Sequence, residues 1–160
     1  MKQIIALTLI VVLSMSCSKG KDEDVNCSLF DPIFPGLYIR LVDESGSNLI
    51  ENGTIDPDEI SVEGNFSEAG FRLVTGNELG ISDFHHTLYL YFPRESSYRF
   101  SLHLNNTDSI EVNLTTEIVN IPCDISYSIP TGVEQNGETL ELIEASPLQF
   151  LVEIELLVSD

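Results

Sequence analysis

The 160-residue chain contains no tryptophan, and past Lys21 it contains no lysine. The only basic side chains beyond that point are Arg40, Arg72, Arg94 and Arg99. Asp and Glu number 26 against seven Lys and Arg, for a formal net charge of −19. A nucleic acid backbone is held by clustered Lys and Arg, so nucleic acid is excluded as a partner, and anionic head groups are disfavoured with it. The acidic balance favours solubility and attracts cations or basic proteins. The missing tryptophan weakens the case for a carbohydrate platform, although Tyr38, Tyr89, Tyr91, Tyr98 and Tyr127 still offer aromatic surface.

Motifs that carry chemistry are scarce too. There is no Gly-x-Ser-x-Gly elbow, no Gly-rich phosphate loop, and no Cys-x-x-Cys or Cys-x-x-His spacing for a metal. Carboxylates are so plentiful that no pair stands out for acid–base work. His85-His86 is the only histidine pair. Neighbours on a strand point to opposite faces, so the two do not easily share an ion. His86 has the parity of Leu88 and Leu90, which predicts a buried ring, while His103 falls on the polar face of its run. Ordinary surface or half-buried roles are expected for all three. No catalytic residue, no cofactor and no metal site are expected, and the chain reads as something other than an enzyme.

The one long apolar run is Ile4 to Leu13. It is too short for a bilayer span, which needs about 20 apolar residues, but with Lys2 before it the run fits a secretory signal. It stops at Leu13-Ser14-Met15-Ser16-Cys17, and then Lys19, Lys21 and the acidic Asp22-Glu23-Asp24 follow. Leu13 to Cys17 resembles the lipobox of bacterial lipoproteins, with Ser14 in the place the usual leucine holds, Leu13 one further back, and the small Ser16 before the cut. The resemblance implies a signal peptide over 1–16, a diacylglycerol on Cys17 and an acylated amino group, which together anchor a chain to a membrane where one acyl group binds only marginally. The alternative is an ordinary secretory cut near Ser16 that leaves Cys17 free. Lysine followed by acidic residues past that cysteine resembles the export signal of Bacteroidota lipoproteins, which implies the outer face of the outer membrane. The same residues also serve as a solvated tether over 17–26.

Removing 1–16 leaves enough chain for one domain with a real core, over 27–160. It costs the charged set only Lys2. With Cys17 acylated, Cys27 and Cys123 remain in a compartment where disulfides persist, and a pair is the expected arithmetic. Closing so long a loop is worth about 4–5 kcal/mol as an upper figure. Two separately buried thiols are the alternative.

Along the domain the signal is period two. Leu37, Ile39 and Leu41 alternate with Tyr38, Arg40 and Val42; residues 43–48 turn, and Asn48-Leu49-Ile50 resumes. Similar runs surround Ile60, Phe71, Leu88-Leu90, Tyr98-Leu104, Ile110-Leu114 and Ile125-Ile129. Tyr89 and Tyr91 stand opposite Leu88 and Leu90, as a second core face or an exposed pair. Leu148, Phe150, Val152, Ile154, Leu156 and Val158 share the last apolar face, in a strand hydrophobic enough to be central. Residues 83–88 and 137–145 carry the poorest strand signal, and no window shows a helical period. Gly, Asn, Asp and Pro punctuate at short intervals, as in an all-β antiparallel sandwich. Tyr38 to Ile50 resembles the opening hairpin of carboxypeptidase-regulatory-like and transthyretin-like sandwiches, departing from them at residues 51–59. The fold expected is one immunoglobulin-like or transthyretin-like sandwich. As a whole the chain resembles small Bacteroidota lipoproteins.

Three further features invite a role. Residues 43–48 place oxygens around a glycine as calcium loops do, and residues 55–60 are acidic as well. Asp43, Asp56 and Asp58 are therefore candidate calcium ligands, against the plainer reading of hairpin turns. Asp108-Ser109-Ile110 resembles the Bacteroidota O-glycosylation motif, making Ser109 a candidate acceptor in a turn. The function expected is a non-catalytic binding or accessory module on the cell surface, with a protein or glycan partner. A structural partner of an envelope complex facing the periplasm is the first alternative, which a long exposed edge strand favours. A glycan- or peptide-acting enzyme is the second.

Overall fold

The computed structural model describes residues 25–76, 82–105 and 108–157. The apolar leader, Cys17, the acidic tether and Val158 lie outside these residues. The chain divides into two units, 1–30 and 31–160. In the described part of the first, Ser28 N and Oγ donate to the Asn26 side chain, and Leu29 N closes the turn on Asn26 O at 2.9 Å.

The second unit is an all-β sandwich. Its described strands are β1 (Gly36–Val42), β2 (Ser61–Gly64), β3 (Gly70–Val74), β4 (Thr87–Tyr91), β5 (Ser97–His103), β6 (Ser109–Ile121), β7 (Ile125–Gln135), β8 (Glu138–Leu140), β9 (Ile143–Ser146) and β10 (Gln149–Glu155). Pro57–Glu59 and Ser82–Phe84 form single 3₁₀ turns. One five-stranded sheet has the order β3-β4-β1-β10-β9 and the other β2-β5-β6-β7-β8. All pairings are antiparallel except β1 with β10, the first and last strands, which run parallel from Gly36↔Gln149 to Val42↔Glu155.

The period-two pattern explains the core. Leu37, Ile39 and Leu41 of β1, Leu88 and Leu90 of β4, and Phe150, Val152 and Ile154 of β10 point inward from one sheet. Tyr98, Phe100 and Leu102 of β5, with Ile110, Val112 and Leu114 of β6, meet them from the other. Burying each such side chain stabilises the fold by about 1.5–3 kcal/mol relative to leaving it exposed. The strand β1 is buried on both faces, as central strands are. Its Tyr38 stacks on Phe84 at 4.1 Å between centroids, in a second small cluster with Val74 and Leu151.

The structure departs from the sequence pattern in three places. Leu49-Ile50 does not resume a strand: Val42↔Asn48 is a single bridge, followed by Leu49 N donating to Leu41 O. The reason is that both edges of β1 are taken, by β10 along its whole length and by β4 at Leu37–Ile39, so the returning chain finds only the end of the strand. His85 and His86 are not on a strand. They follow the 3₁₀ turn, His86 adopts φ 54°, and the two rings stack at 4.1 Å instead of pointing apart. Residues 137–145 do form strands, because Asn136 and Gly137, both at positive φ, make the two-residue turn that joins β7 to β8.

Ile39, fully buried and flanked by paired strands on both sides, sets the scale of the core. Ile39→Ala should cost about 2–5 kcal/mol, whereas truncating Leu157, which is 82% exposed, should change stability by less than about 0.5 kcal/mol. Urea unfolding of the two variants measures both.

Candidate functional site

The hairpin β6–β7 outruns its neighbours. β5 pairs with β6 only as far as Thr115, and β8 pairs with β7 only at Val133, Glu134 and Gln135. At Thr115/Thr116 the register shifts by one residue on β7, a bulge that reverses the facing of the strand beyond it. Leu114 and Val133 fill the core before the bulge; after it, Thr116, Pro130 and Ser128 are the buried residues. Polar groups that turn inward need partners, and the segment 93–96 supplies them. Ser128 Oγ donates to Glu95 O at 3.0 Å, and Thr116 Oγ1 donates to the same carbonyl. Glu95 N donates to the Tyr98 hydroxyl, which in turn donates to Pro93 O. These bonds fix Phe92, Pro93 and Arg94 beside the hairpin.

A second wall is built from the start of β1. Gln149 Nε2 donates to Phe34 O and Gln149 Oε1 accepts from Tyr38 Oη, both at 2.9 Å. This amide fits because residue 36 is glycine: a Cβ there would lie 2.6 Å from Gln149 Oε1 and 2.7 Å from Tyr89 Cε2. The parallel register sets Gly36 opposite Gln149, so the central pairing of the sheet also positions Phe34. Phe34 remains 55% exposed and meets Tyr127 edge to face at 6.3 Å.

Between the walls runs an open groove of about 260 Å³. Four of its lining residues are aromatic: Phe34, Tyr89, Phe92 and Tyr127. Pro35 and Pro93 stiffen its rims, Ser126 and Ser128 add hydroxyls, and Arg94 is its sole charged residue. Arg72 lies with Cζ 5.6 Å from the centroid of the Tyr89 ring, a cation–π distance. Burial pushes the Tyr89 phenol above its ordinary pKa, with the Arg72 charge pulling the other way, so at neutral pH the phenol keeps its proton. Tyr89 and Tyr91 divide the two roles open to them: Tyr89 packs against the outer cluster with Tyr38, and Tyr91 is 44% exposed.

Two other hollows are less suited to a ligand. The cleft near Arg40 and His85 is lined by groups already engaged in holding loops. Arg40 Nη1 bonds Glu153 Oε1 at 2.8 Å, and its Nη2 donates to Asp83 O. The Asn48 side chain donates to His86 O and accepts from Ile50 N and Glu51 N. A hollow at the opposite end of the strands, between Leu49, Leu104 and Leu156, adjoins Leu157, the last described residue.

The residues singled out from the sequence fall at separate places. Cys27 and Cys123 are both disulfide-bonded, and Cys123 sits at φ 69° in the turn between β6 and β7. Ser109 is exposed but opens β6, paired with His103, and does not sit inside a turn. Asp43 Oδ1 accepts from Ser45 N, Ser45 Oγ and Ser47 N. Asp56 Oδ1 accepts from Asp58 N and caps the first 3₁₀ turn. These oxygens serve as turn acceptors, and no group of three or more His, Cys, Asp or Glu fit to hold a metal occurs among the described residues. No described helix is long and apolar enough to cross a membrane. Sequence reading picked out Tyr89 and Tyr127 but missed Phe34, Phe92 and Arg94. Their signal was the aromatic–proline pair that recurs at two strand boundaries, Phe34-Pro35 and Phe92-Pro93. Comparison with protein-family models, with curated proteins and with solved structures found no match.

Two outcomes follow from this geometry. Tyr98→Phe strips Pro93 O and Glu95 N of their shared partner and should cost about 1–3 kcal/mol, with faster amide exchange at 94–96 than in the wild type. The hydrogen bonds from Ser45 and then Ser47 hold the Asp43 carboxyl below its ordinary pKa. A lowered folded value contributes stability above the unfolded pKa that is lost as pH falls through the folded one. An NMR titration of the Ser45 and Ser47 amides should therefore show a midpoint below the ordinary aspartate value.

Proposed function

We propose that this chain is a lipid-anchored, non-catalytic binding module of the cell surface, and that the aromatic groove is where it binds. The observation that carries the reading is the groove itself. Four aromatic side chains, with Phe34 more than half exposed, line an open hollow whose walls are tied by side-chain hydrogen bonds. Aromatic surface held open on strands and on the segments tied to them is what a binding site needs and what a core does not. The non-catalytic reading rests on the sequence, in which no nucleophile motif or carboxylate pair stands out. The location rests on the sequence: the lipobox-like Leu13 to Cys17, with acylated Cys17 in the outer membrane, and the lysine-then-acidic tether that follows. A bridge between Cys27 and Cys123 would be compatible with the oxidising compartment this implies.

The structural-partner reading has one observation in its favour. Along 125–131 no described strand covers the outer edge of β7, and open edges accept partner strands. In that case the ligand is a polypeptide and the groove is part of its seat.

Protease treatment of intact cells tests the location. Digestion of the wild-type protein on intact cells, with release of Cys17→Ala from the membrane fraction, is the expected result; protection of the wild type inside intact cells contradicts surface display. Probing immobilised glycans and peptides with the wild type and with Phe34→Ala tests the groove. Retention by the wild type and at least tenfold weaker retention by the variant is expected, and equal retention contradicts a binding role for the groove.

A further inference from the structure

The composition of the groove names the chemistry of its ligand. The chain carries 26 acidic side chains, yet among the described residues none of them lines this hollow. Two of the four arginines beyond Lys21 are here instead: Arg94 in the lining and Arg72 over the Tyr89 ring. Arg40 bonds Glu153 and Arg99 bonds the Asn113 side chain, and Arg72 sits over the Tyr89 ring, so Arg94 is the arginine of the lining itself. Arg94 is exposed and makes no ion pair or hydrogen bond among the described residues. An exposed arginine with no anion partner beside aromatic rings, in so acidic a chain, offers its planar fork to a carboxylate from outside.

Size narrows the choice. At about 260 Å³ the groove falls just below the ~300–1,000 Å³ of sites that enclose drug-sized ligands. The hollow has room for a single ring, with the rest of a longer ligand lying outside it. Rings with an apolar face pack on Phe34 or Tyr127; the Tyr89 phenol, protonated at neutral pH, can donate to a ring hydroxyl, and Ser126 Oγ, which donates to Asn120 Oδ1 at 2.7 Å, can still accept from one.

We propose that the groove binds the sugar ring of an acidic saccharide, with the apolar face of the ring packed on Phe34 or Tyr127 and its carboxylate received by Arg94. This rests on the reading of the groove as the binding site and adds the class of ligand. The wider negative charge of the chain opposes a long polyanion but is screened beyond about 8 Å at physiological salt, so a short oligosaccharide is the form to test.

Calorimetric titration of the full chain with trigalacturonate, and with its neutral methyl ester, decides the matter. The acid should bind saturably and at least tenfold more tightly than the ester. Arg94→Gln should bring the acid down to the affinity of the ester and leave the ester unchanged, while Arg94→Lys, which keeps the charge but not the fork, should fall between. Phe34→Ala should weaken both ligands. Equal binding of acid and ester, or an Arg94→Gln variant that binds the acid as the wild type does, would overturn the assignment while leaving the groove a binding site. A Phe34→Ala variant with no change toward either ligand would remove the groove reading as well. If neither saccharide binds and a Glu-containing peptide binds in an Arg94-dependent way, the saccharide is wrong and the groove takes peptide. Absence of binding to both saccharides overturns the proposal in any case.

Discussion

The parallel pairing of β1 with β10 is the contact on which the rest of the second unit depends. It joins the first strand to the last across more than a hundred residues, so its loop entropy is met only when the whole sandwich is in place. Its seven-residue register from Gly36↔Gln149 to Val42↔Glu155 puts Leu37, Ile39 and Leu41 beside Phe150, Val152 and Ile154 at the centre of the core. On the opposite face it brings Tyr38 and Leu151 into the second cluster. Strands buried on both faces tolerate little polarity, and the one charged side chain of β1, Arg40, is answered by Glu153, its partner in the register.

The same register builds one wall of the groove. Gly36 leaves room for the Gln149 amide, and that amide holds Phe34 and Tyr38 at once. The facing wall is separate in origin, since it comes from the bulge in the long hairpin and the hydrogen bonds that Tyr98, Thr116 and Ser128 make with residues 93 and 95. Side chains tied by strands and hydrogen bonds are preorganised. In so acidic a chain, an aromatic hollow with Arg94 in its lining is a chemically distinct spot.

Much of the fold was legible because its cause is local. Alternation in 37–42, 98–104 and 149–155 follows directly from which side chains face the core, and it marks β1, β5 and β10 in the sequence. What escaped was set by pairing. Leu49-Ile50 looks like a strand but finds the edges of β1 occupied. Ile125, Tyr127 and Ile129 alternate cleanly, yet the bulge turns Ser128 and Pro130 inward, a change of one residue that only the partner strand determines. The turn at Asn136-Gly137 was a readable hairpin signal, overlooked because β8, the strand it opens, has only three residues. For the site, Tyr89 and Tyr127 were visible as aromatic residues; their convergence with Phe34 and Phe92 was not, because it joins segments nearly a hundred residues apart.

Native-state hydrogen exchange tests the central role of the parallel pair most directly. If β1 and β10 hold the sandwich together, the amides of 37–41 and 150–154 will exchange only through global unfolding, with the highest protection in the chain. If those amides open at a lower free energy than the amides of β5 and β6, the pairing of first and last strands is a late attachment to a fold that stands without it.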